Sequence, residues 1–207
     1  MTQKEYLPID PAREQMQSKL STALLKLIGT APESKALPSA SPSLAAQAAK
    51  KAASDAASKA AMAAGAFALP PGPLGWLTIL PEMAAVWHIQ SQLVADIAAL
   101  YGRSAQLGQA QMIYCLFRHT AAQAVRDLAV RVGQRVLVRP ASSALVQRVV
   151  GAVGAKLSQR VLQKGVSRWV PVVGAAAVSA YAYYDTQQVA KAAIELFERE
   201  LIIDNPD

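Results

Sequence analysis

The 207-residue chain has few of the residues and motifs that disulfide-linked or catalytic proteins depend on. Cys115 is the one cysteine in the sequence, which excludes a disulfide scaffold. There is no Gly-x-x-x-x-Gly-Lys-Ser/Thr phosphate loop, no His-Glu-x-x-His and no Gly-x-Ser-x-Gly. We therefore predict a protein that is not an enzyme and that uses no metal or other cofactor.

The sequence also lacks a regular membrane-spanning stretch and an apolar run of the kind that begins a secretory signal. Residues 60–81 carry no charge, but a Pro-Pro-Gly-Pro stretch interrupts them. Residues 169–184 are also uncharged, yet they are shorter than the roughly 20 residues that a bilayer requires. We expect a cytoplasmic protein, peripheral to the inner face of the membrane, in which these two segments insert shallowly or pack as buried turns.

What the chain does have is alanine and positive charge. Hydrophobic residues make up 53% of the chain, and alanine alone supplies about a fifth. The net charge of +7 is concentrated in residues 103–168, which hold eleven basic residues and one acid, Asp127. Such asymmetry indicates contact with an anionic partner, although a solvated helix face beside acids from elsewhere in the chain would give the same pattern.

The pattern predicts an all-α fold, a single bundle-like domain of about six helices joined by Pro/Gly-rich apolar turns, without strands. Ser41 with Pro42 signals a helix start, and Gly102 a helix end. A helix and a Pro/Ser-rich linker form residues 1–43, and the helical domain follows in residues 44–203. The predicted helices span residues 10–28, 42–69, 81–101, 104–138, 140–167 and, after Gly174, up to about 202.

Basic residues recur every four positions in two of these helices, beside rows of Val and Leu. An apolar seam next to a cationic one is typical of a basic amphipathic helix. We expect these rows to bind anionic lipid or an acidic protein, and we disfavour specific nucleic-acid binding because the region has few aromatics and no recognition motif. The basic residues are Arg131, Arg135, Arg139, Lys156, Arg160, Lys164 and Arg168.

A polar row of His88, Gln92 and Asp96 lines one face of the predicted helix 81–101. Neighbouring members can touch, but His88 and Asp96 are about 12 Å apart on a helix, too far to share a metal. We interpret the row as polar groups satisfied within a bundle, with the headgroup of an apolar ligand as the alternative. His119 is interpreted as structural or superficial, and Cys115 as buried and inert.

Two stretches together resemble the EcsC family of bacterial proteins. The first runs from Gly65-Ala-Phe-Ala-Leu-Pro-Pro-Gly-Pro-Leu-Gly-Trp-Leu to the helix that ends Ile97-Ala-Ala-Leu-Tyr-Gly102. The second is Trp169-Val-Pro-Val-Val-Gly-Ala, followed by Ala192-Ala-Ile-Glu-Leu-Phe197. The resemblance covers residues 45–197 and implies a helical, membrane-associated protein of a family named after a component encoded with an ABC transporter and linked to secretion.

These observations lead to one main functional hypothesis and an alternative. The main hypothesis is a non-enzymatic, peripheral membrane-associated or lipid-binding protein that binds anionic lipid or an acyl chain and is linked to a transporter, effector protein or secretion system. Trp76, Leu77 and Trp169 would then form membrane wedges, because Trp is favoured at headgroup level. The alternative is a soluble protein-interaction module whose basic face docks an acidic protein.

Overall fold

A computed structural model describes residues 31–67, 79–120, 129–132, 135–138, 146–153, 171–199 and 201–203, with isolated positions at 18, 19, 22, 25, 26, 29, 122, 144 and 155. The α-helices are α1 (Pro42–Phe67), α2 (Ile79–Leu100), α3 (Gln109–Phe117) and α4 (Pro171–Glu198), and residues 146–153 are also helical. A 3-10 turn spans Ser104–Gln106. The strands are β1 (Ala129–Val132), β2 (Arg135–Val138) and β3 (Leu201–Ile203).

The start of α1 and the end of α2 follow the sequence signals. The hydroxyl of Ser41 accepts a hydrogen bond from the Leu44 amide at 3.3 Å, as expected of an N-cap. At the end of α2, Gly102 has a φ of +68°, and its amide donates to the Ala99 carbonyl while the Arg103 amide donates to that of Ala98. This pair of bonds is a Schellman motif, in which glycine tolerates the left-handed conformation. Both predicted signals are confirmed.

Helices α1, α2 and α4 form the centre of the fold, with α1 antiparallel to the other two. Its alanines pack on both neighbours, because small side chains let helix backbones approach closely. Ala60 and Ala64 share an apolar cluster with Ala182 of α4 and with Val86 and Ile89 of α2. The alanine-rich helix α1 thus packs on more than one side.

A larger core joins α3 and residues 146–153 to this centre. In α3 the buried residues include Met112, Ile113 and Leu116, and Trp87 of α2 meets Phe117 edge to face with ring centroids 6.4 Å apart. Val149 and Val153, from a predicted apolar seam, are buried in this core, so that part of the seam faces protein.

A small sheet replaces part of the predicted helices. β1 pairs with β2 antiparallel, and β2 pairs with β3 in parallel. The predicted helix 104–138 is therefore wrong over residues 129–132 and 135–138, where this sheet departs from an otherwise helical fold, and the last helix ends at Glu198 instead of at about residue 202. Val-rich runs on either side of Gly133-Gln134 carry a two-residue hairpin signal, and β-branched side chains favour strands over helices.

The described part of the chain is mostly helical, with five helical segments of eight or more residues where about six helices were predicted for the whole chain. Within the predicted helix 10–28, the described positions are helical, and the Thr22 hydroxyl donates to the Ser18 carbonyl at 3.0 Å. Among the described residues, none of the helices combines the length and the apolar character needed to cross a membrane.

Candidate functional site

The predicted Pro/Ser-rich linker lies along α2 as an extended strap of residues 31–40. The Ser34 hydroxyl donates to Oδ1 of Asp96 at 2.6 Å, and the Ser39 amide donates to the Leu100 carbonyl at 3.0 Å. The side chain of Gln92 donates both to Asp96 Oδ1 at 3.0 Å and to the Glu33 carbonyl at 3.2 Å. The polar row thus fixes the strap to α2 through two of its members, and the third, His88, is exposed.

A groove of about 480 Å³ lies between the strap, α1 and α2. Its apolar lining includes Ala48, Ala52 and Leu100, while Lys51 and Asp55 bring charges of both signs. This mixture does not select a ligand by charge. Gln92 and Asp96 of the polar row thus have a structural contact with the strap, and binding of a ligand headgroup by the row stays a prediction.

A second polar cluster lies at the level where α2, α3 and α4 meet. The side chain of Gln90, 1% exposed, donates to Oδ2 of Asp185 at 2.8 Å and to the Thr186 hydroxyl at 3.2 Å. Nε2 of His119 lies 2.7 Å from the other carboxylate oxygen of Asp185, Oδ1. Sequence reasoning missed this cluster, because its members are separated by up to 96 residues and form no motif.

The electrostatics of the cluster favour an ionised Asp185. Burial of the carboxyl acts to raise its pKa, but hydrogen bonds from His119, Gln90 and Tyr181 and the charge of His119 outweigh it, so the pKa lies below its usual value. The interpretation of His119 as structural agrees with this pairing. Through these bonds the Asp185 carboxylate joins α2 and the turn after α3 to α4.

Next to His119, Arg118 forms a second tie between α3 and α4. Its guanidinium lies 2.6 Å from Oε2 of Glu195, with its carbon 5.3 Å from the centre of the Tyr114 ring. Cys115 is buried, and burial raises the pKa of its thiol, which keeps it protonated. The prediction that Cys115 is buried is confirmed.

The antiparallel packing brings three helix ends together at one end of the bundle, which we call the apolar end. It is formed by the C-terminus of α1 and the N-termini of α2 and α4. Two contacts fix this arrangement. Gly65 of α1 lies so close to α4 that an added Cβ would overlap the Ser179 hydroxyl, and Gln90 of α2 bonds to Asp185 of α4. The predicted wedge residues Trp76, Leu77 and Trp169 lie outside the described residues, in segments joined to these helix ends.

The predicted basic rows are only partly described. Arg131 is in β1 and Arg135 in β2, where Arg131 pairs with Val136 and Arg135 with Val132. Because these two positions lie on paired strands of a hairpin, the predicted helical stripe through both is wrong. The remaining five residues of the rows lie outside the described residues: Arg139, Lys156, Arg160, Lys164 and Arg168.

Within the described residues, no group of three or more metal-ligating side chains comes together. No family model matches the chain, and no curated protein or solved structure matches it. The similarity to the EcsC family therefore stays a prediction based on the residues quoted above.

Proposed function

We propose that the protein is a peripheral membrane-associated protein that contacts lipid with its apolar end. One observation carries the proposal: the fold attaches the Pro/Gly-interrupted apolar residues 68–78 and the apolar pair Trp169-Val170 to helix ends at the same end of the bundle. A molecule with two apolar wedges at one end has a surface suited to shallow insertion. Segments attached to opposite ends would lack that geometry.

The composition of the three helices near this end supports the proposal. After Lys59, α1 has no charged residue up to Phe67, and α4 has none before Asp185. Met62 is 67% exposed there, on a stretch of α1 without charge. Glu82, in the first turn of α2, is the one formal charge that these three helices carry in this region, at a helix N-terminus where an acid is favourable.

In this proposal, the basic residues give the protein its preference for anionic lipid. Arg168 precedes Pro171 by three residues, a chain length that spans at most about 10 Å. Each Lys or Arg close to an anionic membrane contributes about 1 kcal/mol, and this attraction weakens with salt. The EcsC resemblance points to the same class of protein, and a linked transporter or secretion component is part of the proposal.

Sedimentation of the full chain with vesicles tests the proposal. We expect binding that is stronger on phosphatidylglycerol-containing vesicles than on phosphatidylcholine alone and that weakens with salt. Leu37→Ser is the control for Leu77→Ser, because it makes the same chemical change away from the apolar end. Leu37 is 81% exposed and lies on the strap near the opposite end of the bundle. Leu77→Ser should weaken binding while Leu37→Ser leaves it unchanged. A chain that binds no vesicle but captures a defined acidic protein would instead support the interaction-module alternative.

A further inference from the structure

Three tyrosines of α4 are exposed at one level of the bundle. Tyr181, Tyr183 and Tyr184 are 43%, 40% and 60% exposed. They lie within one helical turn, so their Cα atoms are within about 4.5 Å of each other along the axis. At about 100° per residue they span roughly 160° of the circumference, on the side away from buried Ala182 and Thr186. Together they surround the exposed side of α4 at one height.

This arrangement distinguishes two kinds of partner. A helix that docks in a protein groove presents its anchors along one face, at i, i+3 or i+4, and i+7. Residues at a membrane surface share a depth instead, and Tyr is enriched there because its ring is apolar and its hydroxyl polar. Tyr181 and Tyr184 have i, i+3 spacing, but Tyr183 lies about 100° around the helix from Tyr184, and position i+7 from Tyr181 is Gln188. The tyrosines thus share a level instead of following one face along the helix, which favours a membrane surface.

Apart from Glu82, the same level separates uncharged from polar sequence on the neighbouring helices. Ala60 of α1 shares a cluster with Ala182, and it follows exposed Lys59, the last charged residue of that helix. On α2, Gln90 bonds to Asp185, and exposed His88 lies half a turn before it. On α4, Asp185 directly follows the tyrosines and is held by Gln90 and His119.

We propose that Tyr181, Tyr183 and Tyr184 form a collar at the membrane–water boundary, which sets how deep the apolar end enters a bilayer. The inference rests on the proposed function and adds an orientation to it: α4 enters N-terminus first. Residues before the collar lie among lipid, and residues from Asp185 onward lie in water. The polar cluster around Asp185 stops deeper entry, because burying its charges in hydrocarbon is costly.

Nitroxide labels on the full chain measure this depth. Ala176→Cys, Ala180→Cys and Lys191→Cys place labels on exposed positions before and after the collar, and buried Cys115 is the background control. The vesicles contain equal parts of phosphatidylcholine and phosphatidylglycerol. For each label, the ratio of its accessibility to oxygen to its accessibility to a water-soluble quencher reports its depth. This ratio should be highest at position 176 and lowest at position 191. Equal depth at all three positions in a bound protein overturns the collar and leaves membrane association standing. A chain that does not bind these vesicles overturns both.

Substitution of the collar provides a second readout. Tyr183→Ser with Tyr184→Ser should weaken vesicle binding roughly tenfold or more, since an aromatic side chain buries 150–250 Å² of surface when fully covered. Tyr183→Trp with Tyr184→Trp is the matched control and should retain binding, because Trp has the same interfacial preference. Equal binding by the serine and tryptophan pairs contradicts the inference. Circular dichroism of both variants checks that the fold is retained.

Discussion

The imidazole of His119 lies with its Nε2 atom 2.7 Å from Oδ1 of Asp185, which ties the turn after α3 to the middle of α4. Side-chain exposures of 21% for His119 and 15% for Asp185 leave the pair partly shielded from water. Gln90 holds the second carboxylate oxygen from α2. One carboxylate thus links three helices at the level where the bundle changes from uncharged to polar sequence.

Acid should weaken the fold through Asp185. Its pKa is below the usual value near 3.8, so its ionised form contributes stability that is complete above that value and is lost as pH falls through the lower folded-state pKa. Asp185→Asn should reduce the free energy of unfolding by about 1–3 kcal/mol at neutral pH, and its deficit should shrink below about pH 4. Urea unfolding across this pH range measures both effects.

Asp55→Asn is the matched control for this experiment, because Asp55 is exposed on α1. It should leave stability nearly unchanged at neutral pH. If Asp185→Asn and the wild type lost stability in parallel on acidification, the hydrogen-bonded carboxylate would not be the source of the acid sensitivity.

A double-mutant cycle tests the close approach of α1 and α4. In Gly65→Ala the new Cβ overlaps the Ser179 hydroxyl, which offsets the gain in helix propensity of up to about 1 kcal/mol. In the Ser179→Ala background the obstructing oxygen is gone and the Cβ of residue 179 lies 3.8 Å away, an ordinary contact. Gly65→Ala should therefore be more favourable in that background, with a coupling of about 0.5–2 kcal/mol in thermal or urea unfolding.

Gly151 is the control glycine, since an added Cβ there meets nothing within 4 Å. Gly151→Ala should stabilise the protein by about 0.5–1 kcal/mol irrespective of residue 179. Additive effects of Gly65→Ala and Ser179→Ala would show that the two helices do not constrain each other at this point.

Local signals in the sequence predict much of the helical framework but not its polar contacts. Ser41 and Gly102 act through neighbouring backbone groups, so their roles are visible in a short window of sequence. The hairpin of β1 and β2 was missed because arginines spaced by four favoured a helix over the β-branched pattern around Gly133. The pairing of His119 with Asp185 depends on how α3 docks on α4, and neither residue has a local signal that reveals its partner.

Loss of the Asp96 carboxylate should loosen the strap without unfolding the bundle. Asp96→Ala removes the acceptor of the Ser34 bond and leaves the bonds from Gln92 to the Glu33 carbonyl and from Ser39 to the Leu100 carbonyl. A hydrogen bond to a charged group contributes about 1.5–3 kcal/mol, so amide exchange in residues 33–40 should become roughly tenfold faster or more. Hydrogen-exchange mass spectrometry reads the strap and α1 separately.

His88→Ala is the control for the strap, because His88 belongs to the same polar row and is exposed on α2. It should leave exchange in residues 33–40 unchanged. Equal acceleration by both substitutions, or faster exchange throughout α1, would mean that Asp96 stabilises the helices as a whole instead of fixing the strap.

Neutralising the second basic row should remove the preference for anionic vesicles. Four residues, Lys156, Arg160, Lys164 and Arg168, changed together to Gln would lose about 1 kcal/mol each, so binding to phosphatidylglycerol-containing vesicles should fall by tenfold to a thousandfold at low salt. Changing four exposed lysines of other surfaces, Lys35, Lys50, Lys51 and Lys191, to Gln lowers the net charge equally. If lipid recognition depends on the row, the control retains the salt-sensitive preference and the row variant binds neutral and anionic vesicles alike. Equal losses in the two variants would assign the attraction to net charge and would contradict a role for the row.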